Sequence, residues 1–119
     1  MEPTEIVTRY LAGGLSVELV SELELRQRTA NIREAFPDLD VTTDVLLAEG
    51  NLVAAHLTAR GTHHGLFNGV PPTGNEWEAR CTAIYRVEDG RIAEAWITWD
   101  LLALMEQLDA IERVQTVSA

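Results

Sequence analysis

Trp77-Glu78-Ala79-Arg80-Cys81-Thr82-Ala83-Ile84-Tyr85-Arg86-Val87, followed by Glu88-Asp89-Gly90 and then Arg91-Ile92-Ala93-Glu94-Ala95-Trp96-Ile97-Thr98-Trp99-Asp100, is the stretch on which the fold turns. Its first part alternates apolar or small residues with mostly charged or polar ones. That is the period of a strand with one buried face. Asp89-Gly90 is the chemistry of a tight hairpin turn, so residues 91–99 return as a partner strand. Alternation places Cys81, Ala83 and Tyr85 on the inner face of the first strand, and Ala95, Ile97 and Trp99 on the inner face of the second. Glu78, Arg80, Thr82, Trp96 and Thr98 then face outward.

Upstream of this hairpin the same period recurs. Leu39, Val41, Thr43, Val45 and Leu47 alternate with Asp40, Thr42, Asp44 and Leu46, Glu49-Gly50-Asn51 makes a turn, and residues 52–60 form a second strand. Between residues 60 and 77 lies Gly61-Thr62-His63-His64-Gly65-Leu66-Phe67-Asn68-Gly69-Val70-Pro71-Pro72-Thr73-Gly74, whose glycines and prolines predict an irregular excursion. The first third of the chain is helical in pattern. Thr4 is placed to cap a short helix in which Ile6, Val7, Tyr10 and Leu11 share a face, closed by Gly13-Gly14. Ser16 is placed to cap a second helix, with Leu19, Val20, Leu23, Ala30, Ile32 and Phe36 at roughly helical spacing until Pro37 stops it. Arg26, Arg28, Glu22 and Glu24 fall on its wet side. Downstream, Asp100 opens a closing helix with Leu101, Leu104, Met105, Leu108 and Ile111 inward, and residues 114–119 read as a frayed tail. Helices followed by a run of antiparallel strands make an α+β fold: N-terminal helices packed on a curved sheet of about four strands, with a short C-terminal helix. Such an arrangement can enclose a conical cavity for a small molecule.

The 119 residues carry 19 acidic and nine basic side chains, a net charge of −10, and all nine basic residues are arginine. Without lysine there is no amine for Schiff-base or pyridoxal-phosphate chemistry. The acidic excess argues against a nucleic-acid partner and a polybasic membrane anchor. No segment approaches the roughly 20 apolar residues of a membrane span. The length and even composition predict one domain over residues 1–119. A single cysteine, Cys81, precludes an internal disulfide, and three histidines without further thiols give no structural zinc pattern. With an acidic rather than basic opening segment, these features predict a reducing, cytoplasmic compartment.

Ala35-Phe36-Pro37-Asp38-Leu39, Gly61-Thr62-His63, Val70-Pro71-Pro72-Thr73-Gly74, Tyr85-Arg86-Val87-Glu88-Asp89-Gly90-Arg91-Ile92 and Trp96 to Asp100 together resemble the SnoaL-like polyketide cyclase, or ester cyclase, family, in order and over about residues 32–108. The resemblance implies the cone fold shared with ketosteroid isomerase and nuclear transport factor 2. It further implies a cofactor-independent, metal-free site acting on a small carbonyl compound. Where aldol cyclases of the family carry an aspartate and a histidine on the last two strands, this chain has Ile97 and Ala83, and Glu94-Ala95-Trp96 stands where relatives often have Glu-His-Trp. The stretch with a strand and often a histidine that relatives place between their second and third helices is missing.

The remaining candidates for proton transfer are His56, His63 and Asp100. His63 matches the histidine of the family's Gly-Thr-His step, and histidine as a residue type titrates near neutrality; otherwise it ties down the loop backbone. His56 is a general base if its strand turns it inward and an ordinary strand histidine if outward. Asp100 is a carboxylate at the cavity mouth or the N-cap of the closing helix. His64 faces solvent. The substrate-binding set is Tyr85, Trp99, Cys81, Ile97, Ala83 and Ala95, with Tyr10 and Phe67. Three readings follow: a cyclase, isomerase or hydrolase of an apolar, polyketide-derived substrate; a binding protein for an apolar ligand; and, with either, a homodimer formed through the outer sheet face around Trp96.

Overall fold

The computed structural model describes residues 1–111, so the tail expected over 114–119 lies outside the described residues. Three helices, α1 (Pro3–Ala12), α2 (Leu23–Ala35) and α3 (Leu101–Gln107), accompany four strands, β1 (Asp40–Glu49), β2 (Leu52–Thr62), β3 (Glu76–Glu88) and β4 (Arg91–Trp99). The strands form one antiparallel meander in the order β1-β2-β3-β4. The α+β architecture read from the sequence is the one observed.

β3 follows its alternation fully: Trp77, Ala79, Cys81, Ala83, Tyr85 and Val87 are buried, whereas Glu76, Glu78, Arg80, Thr82 and Ile84 are exposed. Asp89 and Gly90 adopt φ of 50° and 75°, the left-handed pair of a type I′ hairpin turn. On β4 the register shifts between Arg86–Glu94 and Val87–Ile92, leaving Ala93 as a bulge. The bulge lets Ile92, fully buried, and Ala95 both face the interior although they are three residues apart.

β1 departs from the expected simple alternation. Its register shifts between Thr43 and Val45, with Asp44 as the extra residue, whose carboxylate accepts a 2.7 Å hydrogen bond from the Thr58 hydroxyl. Parity inverts across the bulge. Val41 and Leu46 therefore pack on the core, while Val45 and Leu47 are 49% and 66% exposed.

The helical segment also differs in its start. Thr4 lies inside α1, and Glu2 stands at the N-cap, with Pro3 in the first turn where its missing N–H costs nothing. Ser16 opens only a 3-10 turn, Val17–Leu19. Val20 is extended and bridges Ile92, and Ser21 N–H donates to the Ile92 carbonyl at 3.0 Å, so this segment joins the free edge of β4 rather than a helix. α2 begins only at Leu23, where the Glu22 carboxylate accepts from Glu24 N–H and Leu25 N–H at 2.9 and 2.7 Å. The buried face is consequently Leu25, Thr29 and Ala35, with Ile32 at its margin, and Leu23 is 80% exposed.

The core has two clusters joined through Ile32, Leu39, Val41 and Trp99. One packs Ile6, Val7, Tyr10 and Leu11 of α1 on the inner face of the sheet, around Leu57, Cys81 and Tyr85. The other packs Leu104 and Leu108 at the C-terminal end on Ala35, Phe36, Ala59, Trp77 and Ala79. Leu101 and Ile111, expected inward, are exposed, because the helix is only seven residues long and presents one turn of its stripe.

Candidate functional site: a groove at the mouth of the cone

The segment between β2 and β3 builds one wall of the site. Its ends pair like strands, His63 N–H to the Asn75 carbonyl at 3.0 Å and Gly74 N–H to the His63 carbonyl at 2.9 Å. His64 N–H and Gly65 N–H both donate to the Ala35 carbonyl at the end of α2. At Gly65 a Cβ would lie 2.5 Å from the Glu34 carbonyl oxygen, so only glycine allows this approach. Phe67 and Val70 then exchange hydrogen bonds of 3.1 and 2.8 Å across Asn68 and Gly69, both at positive φ. That turn sets the Phe67 ring 5.0 Å from Phe36.

Between this wall, α2 and the end of β4 lies an open groove of about 770 Å³, with Ile97, Trp99, Phe36, Phe67 and Leu104 as its apolar surfaces and Arg28, Asn31 and Glu34 along α2. Behind it, inside the cone, a second space of only about 40 Å³ is lined by Tyr10, Thr29, Leu57, Cys81 and Tyr85. Arg28, Ile32, Ile97 and Trp99 line both. The inner space has room for about one water molecule. A ligand of any size therefore belongs in the outer groove.

Apart from Arg28, the polar groups of the inner space are hydroxyls and a thiol. Tyr10 Oη and Thr29 Oγ1 share a buried hydrogen bond of 3.0 Å. Tyr85 packs edge-on to Tyr10, with centroids 5.7 Å apart, and its hydroxyl makes no hydrogen bond among the described residues. Burial, the nearby Tyr10 and Cys81 push the Tyr85 phenol far above its ordinary range. Burial raises the Cys81 thiol to about 11. Both groups are thus neutral at physiological pH: Tyr85 is a hydrogen-bond donor rather than a base, and Cys81 is an apolar wall rather than a nucleophile.

The sequence-derived candidates divide into those the fold brings together and those it does not. Tyr10, Cys81, Tyr85, Ile97 and Trp99 converge on the inner space, and Phe67 joins Ile97 and Trp99 on the groove. Ala83 and Ala95 pack into the core beside them without lining either space. His56 is on the outer face of the sheet, exposed, with Nδ1 3.1 Å from the Thr82 hydroxyl of the neighbouring strand. The inward orientation on which a general-base role for His56 depends is not the one it adopts. Asp100 caps α3, its Oδ1 accepting from Ala103 N–H at 3.2 Å.

His63 is fully buried one layer behind the groove, its ring 5.9 Å from that of Phe36. Its Nδ1 accepts from Thr73 N–H at 3.2 Å and lies 3.0 Å from the Thr73 hydroxyl. This assigns the ring hydrogen to Nε2. Nε2 and the Trp77 indole nitrogen are both buried without a hydrogen-bond partner among the described residues. His63 thus ties the start of the loop to Thr73 near its end, and not to the carbonyls around Gly61 and Gly65.

Arg28 and Asn31 are groove residues that the sequence reading misses, Arg28 being placed on the wet side of the second helix and Asn31 on neither face; Ile32, beside them, is on the apolar stripe as read. Their signal was the spacing of 28, 31, 32 and 35, one helical face. It was hidden by placing the cap of that helix at Ser16, six residues before Glu22. Among the described residues, no group of three or more histidine, cysteine, aspartate or glutamate side chains is placed to hold a metal ion.

Comparison with known proteins decides the family. The family model for SnoaL-like polyketide cyclase matches residues 11–108. The chain belongs to the SnoaL-like polyketide cyclase family. Membership supports a small-molecule, cyclase-type role. Among solved structures, AclR from Streptomyces galilaeus, provisionally described as a hydroxylase, is 31% identical with a TM-score of 0.68, over 82% of this chain and 62% of AclR. The chain thus spans less than two-thirds of AclR. IdmH from Streptomyces antibioticus, provisionally a polyketide cyclase, is 27% identical with a TM-score of 0.70, over 92% of this chain and 99% of IdmH. A SnoaL-like protein from Jannaschia Sp. CCS1 shares the fold at 23% identity and a TM-score of 0.78, over 92% and 93% of the two chains. No curated protein matches the chain. No helix among the described residues is long and apolar enough to cross a membrane.

Proposed function

We propose that the protein binds a flat, apolar, polyketide-derived carbonyl compound in the groove over Trp99 and Ile97 and promotes its cyclisation or isomerisation without a cofactor. The observation that carries this reading is the 770 Å³ groove whose Ile97 and Trp99 walls are shared with the inner space. Aromatic and aliphatic walls there favour a planar ligand body. Holding such a substrate folded, with its reacting carbons near contact, supplies much of the barrier lowering for an intramolecular ring closure. The Tyr85 hydroxyl, neutral and without a hydrogen-bond partner among the described residues, donates through one water in the inner space to the carbonyl oxygen as it enolises. The α-proton passes to solvent water in the open groove, which returns a proton to the new alkoxide after ring closure. His63 acts by holding the loop that carries Phe67, and Asp100 by holding α3.

The test is turnover of a short aromatic poly-β-ketone followed by mass spectrometry and NMR. Tyr85→Phe should slow ring closure by about 10- to 100-fold, Trp99→Ala should abolish saturation, and His56→Ala should change nothing. Equal turnover by wild type and Trp99→Ala would exclude the groove. A second reading, an apolar-ligand carrier without turnover, is favoured by Ile97 and Ala83 at the positions of the family's acid and histidine. Saturable binding with the ligand recovered unchanged would establish it.

The protein is also proposed to be a homodimer. Leu47, Ala54, Ile84 and Trp96 pair successively across the four strands and form one apolar row on the outer face. Leu47, Ile84 and Trp96 in that row are 66%, 42% and 49% exposed. The lone buried thiol of Cys81 accords with a reducing, cytoplasmic location, and the proposal treats residues 1–119 as one domain.

A further inference from the structure

Among the described residues Arg28 is the only cation of the groove, and it lines the inner space as well. On the outer face of the sheet two guanidinium groups are paired: Arg60 with Asp40 and Glu78, and Arg86 with Glu88 and Glu94. Arg26 and Arg33 donate to the carbonyls of Val20 and Leu15. Arg28 has no ion pair and no hydrogen bond among the described residues, although the chain carries 19 acidic side chains against nine basic ones. The other ionisable group of the groove, Glu34, lies six residues on, about 9 Å along the helix and about 120° around it from Arg28. Glu34 therefore edges the groove near the loop, and Arg28 shares with Ile32 the helical face turned towards Ile97 and Trp99.

A planar guanidinium beside an apolar, aromatic floor is suited to a ligand whose flat body ends in an acceptor of matching geometry. Charge-assisted, two-pronged bonding makes a carboxylate the strongest such acceptor. We infer that the groove selects ligands bearing a free carboxylate on their aromatic body, Arg28 binding that carboxylate while Trp99 and Ile97 hold the rings. The inference rests on the groove reading above and narrows its ligand class: the acid, rather than its ester or amide. In a protein of net charge −10, long-range repulsion opposes any anion, so the selectivity must be local to Arg28 and sensitive to salt.

Titration calorimetry with 2-naphthoate and methyl 2-naphthoate at low ionic strength tests this. Wild type should bind the acid about tenfold or more tighter than the ester, and added salt should narrow the gap. Arg28→Gln should equalise the two ligands while leaving ester affinity in place, and Arg28→Lys should restore part of the gap. Arg9→Gln, which removes the same charge from α1, should leave the gap unchanged. Circular dichroism confirms that each variant is folded. Equal affinity for acid and ester in wild type, or a gap that survives Arg28→Gln, would overturn the inference. If both ligands still bind and Trp99→Ala abolishes that binding, the groove itself stands. Failure of both ligands to bind would overturn the groove reading and this inference together.

Discussion

Tyr85 and Cys81 carry the chemistry of the cone's interior by remaining uncharged. Burial raises both above their ordinary values, Cys81 from about 9 to about 11. The folded protein then holds protons that the unfolded chain has released, so stability is complete below about pH 9 and falls as pH rises through 11. Alkaline denaturation followed by circular dichroism should show this loss beginning near pH 9, and Cys81→Ala should shift its onset upward. At pH 8 the native thiol should react with iodoacetamide only at the rate of global opening. The Tyr10–Thr29 bond makes a separate prediction: Tyr10→Phe leaves the Thr29 hydroxyl buried and unpaired and should cost about 1–3 kcal/mol in urea unfolding. The faces of Cys81 and Tyr85 were legible because β3 alternates strictly. The direction of His56 was not, since Ala54, Ala55 and Ala59 around it satisfy either face and Leu57, Thr58 and Ala59 are all buried in succession. Hydrophobic periodicity carries no signal in such a strand.

Among the elements, existence was easier to read than phase. All four strands and the hairpin at Asp89-Gly90 follow from alternation and turn chemistry. The bulges at Asp44 and Ala93 do not, because each is a property of pairing between strands rather than of one strand's residues. The N-terminus of α2 was misread for a related reason: Leu19 and Val20 keep helical spacing, yet Val20 is claimed by the edge of β4. α3 offers a direct test of what Asp100 does. Asparagine caps a helix as well as aspartate, whereas alanine does not. Asp100→Asn should therefore preserve stability and function, and Asp100→Ala should lose about 1 kcal/mol in thermal or urea unfolding. Loss of turnover in a stable Asp100→Asn protein would instead give the carboxylate a part in the chemistry.

For the molecule as a whole, the sequence correctly indicated an acidic exterior around an apolar interior, but not that the interior is nearly filled. A space of about 40 Å³ inside and one of about 770 Å³ outside put the proposed ligand site at the mouth of the cone rather than in its depth. Packing of Leu15, Leu25, Ile32 and Tyr10 against the sheet decides this, and no local pattern encodes the residual volume. On the opposite face, Trp96 and its apolar row predict association: sedimentation should give a dimer at micromolar concentration, and Trp96→Glu a folded monomer. The ligand's position is tested most directly by heteronuclear NMR of the three tryptophan indoles, assigned with single Trp→Phe variants, during titration with 2-naphthoate. The account predicts that the Trp99 indole and the Ile97 methyl resonances shift saturably, while Trp96 on the outer face does not. Shifts centred on Trp96, with Trp99 and Ile97 unmoved, would contradict it.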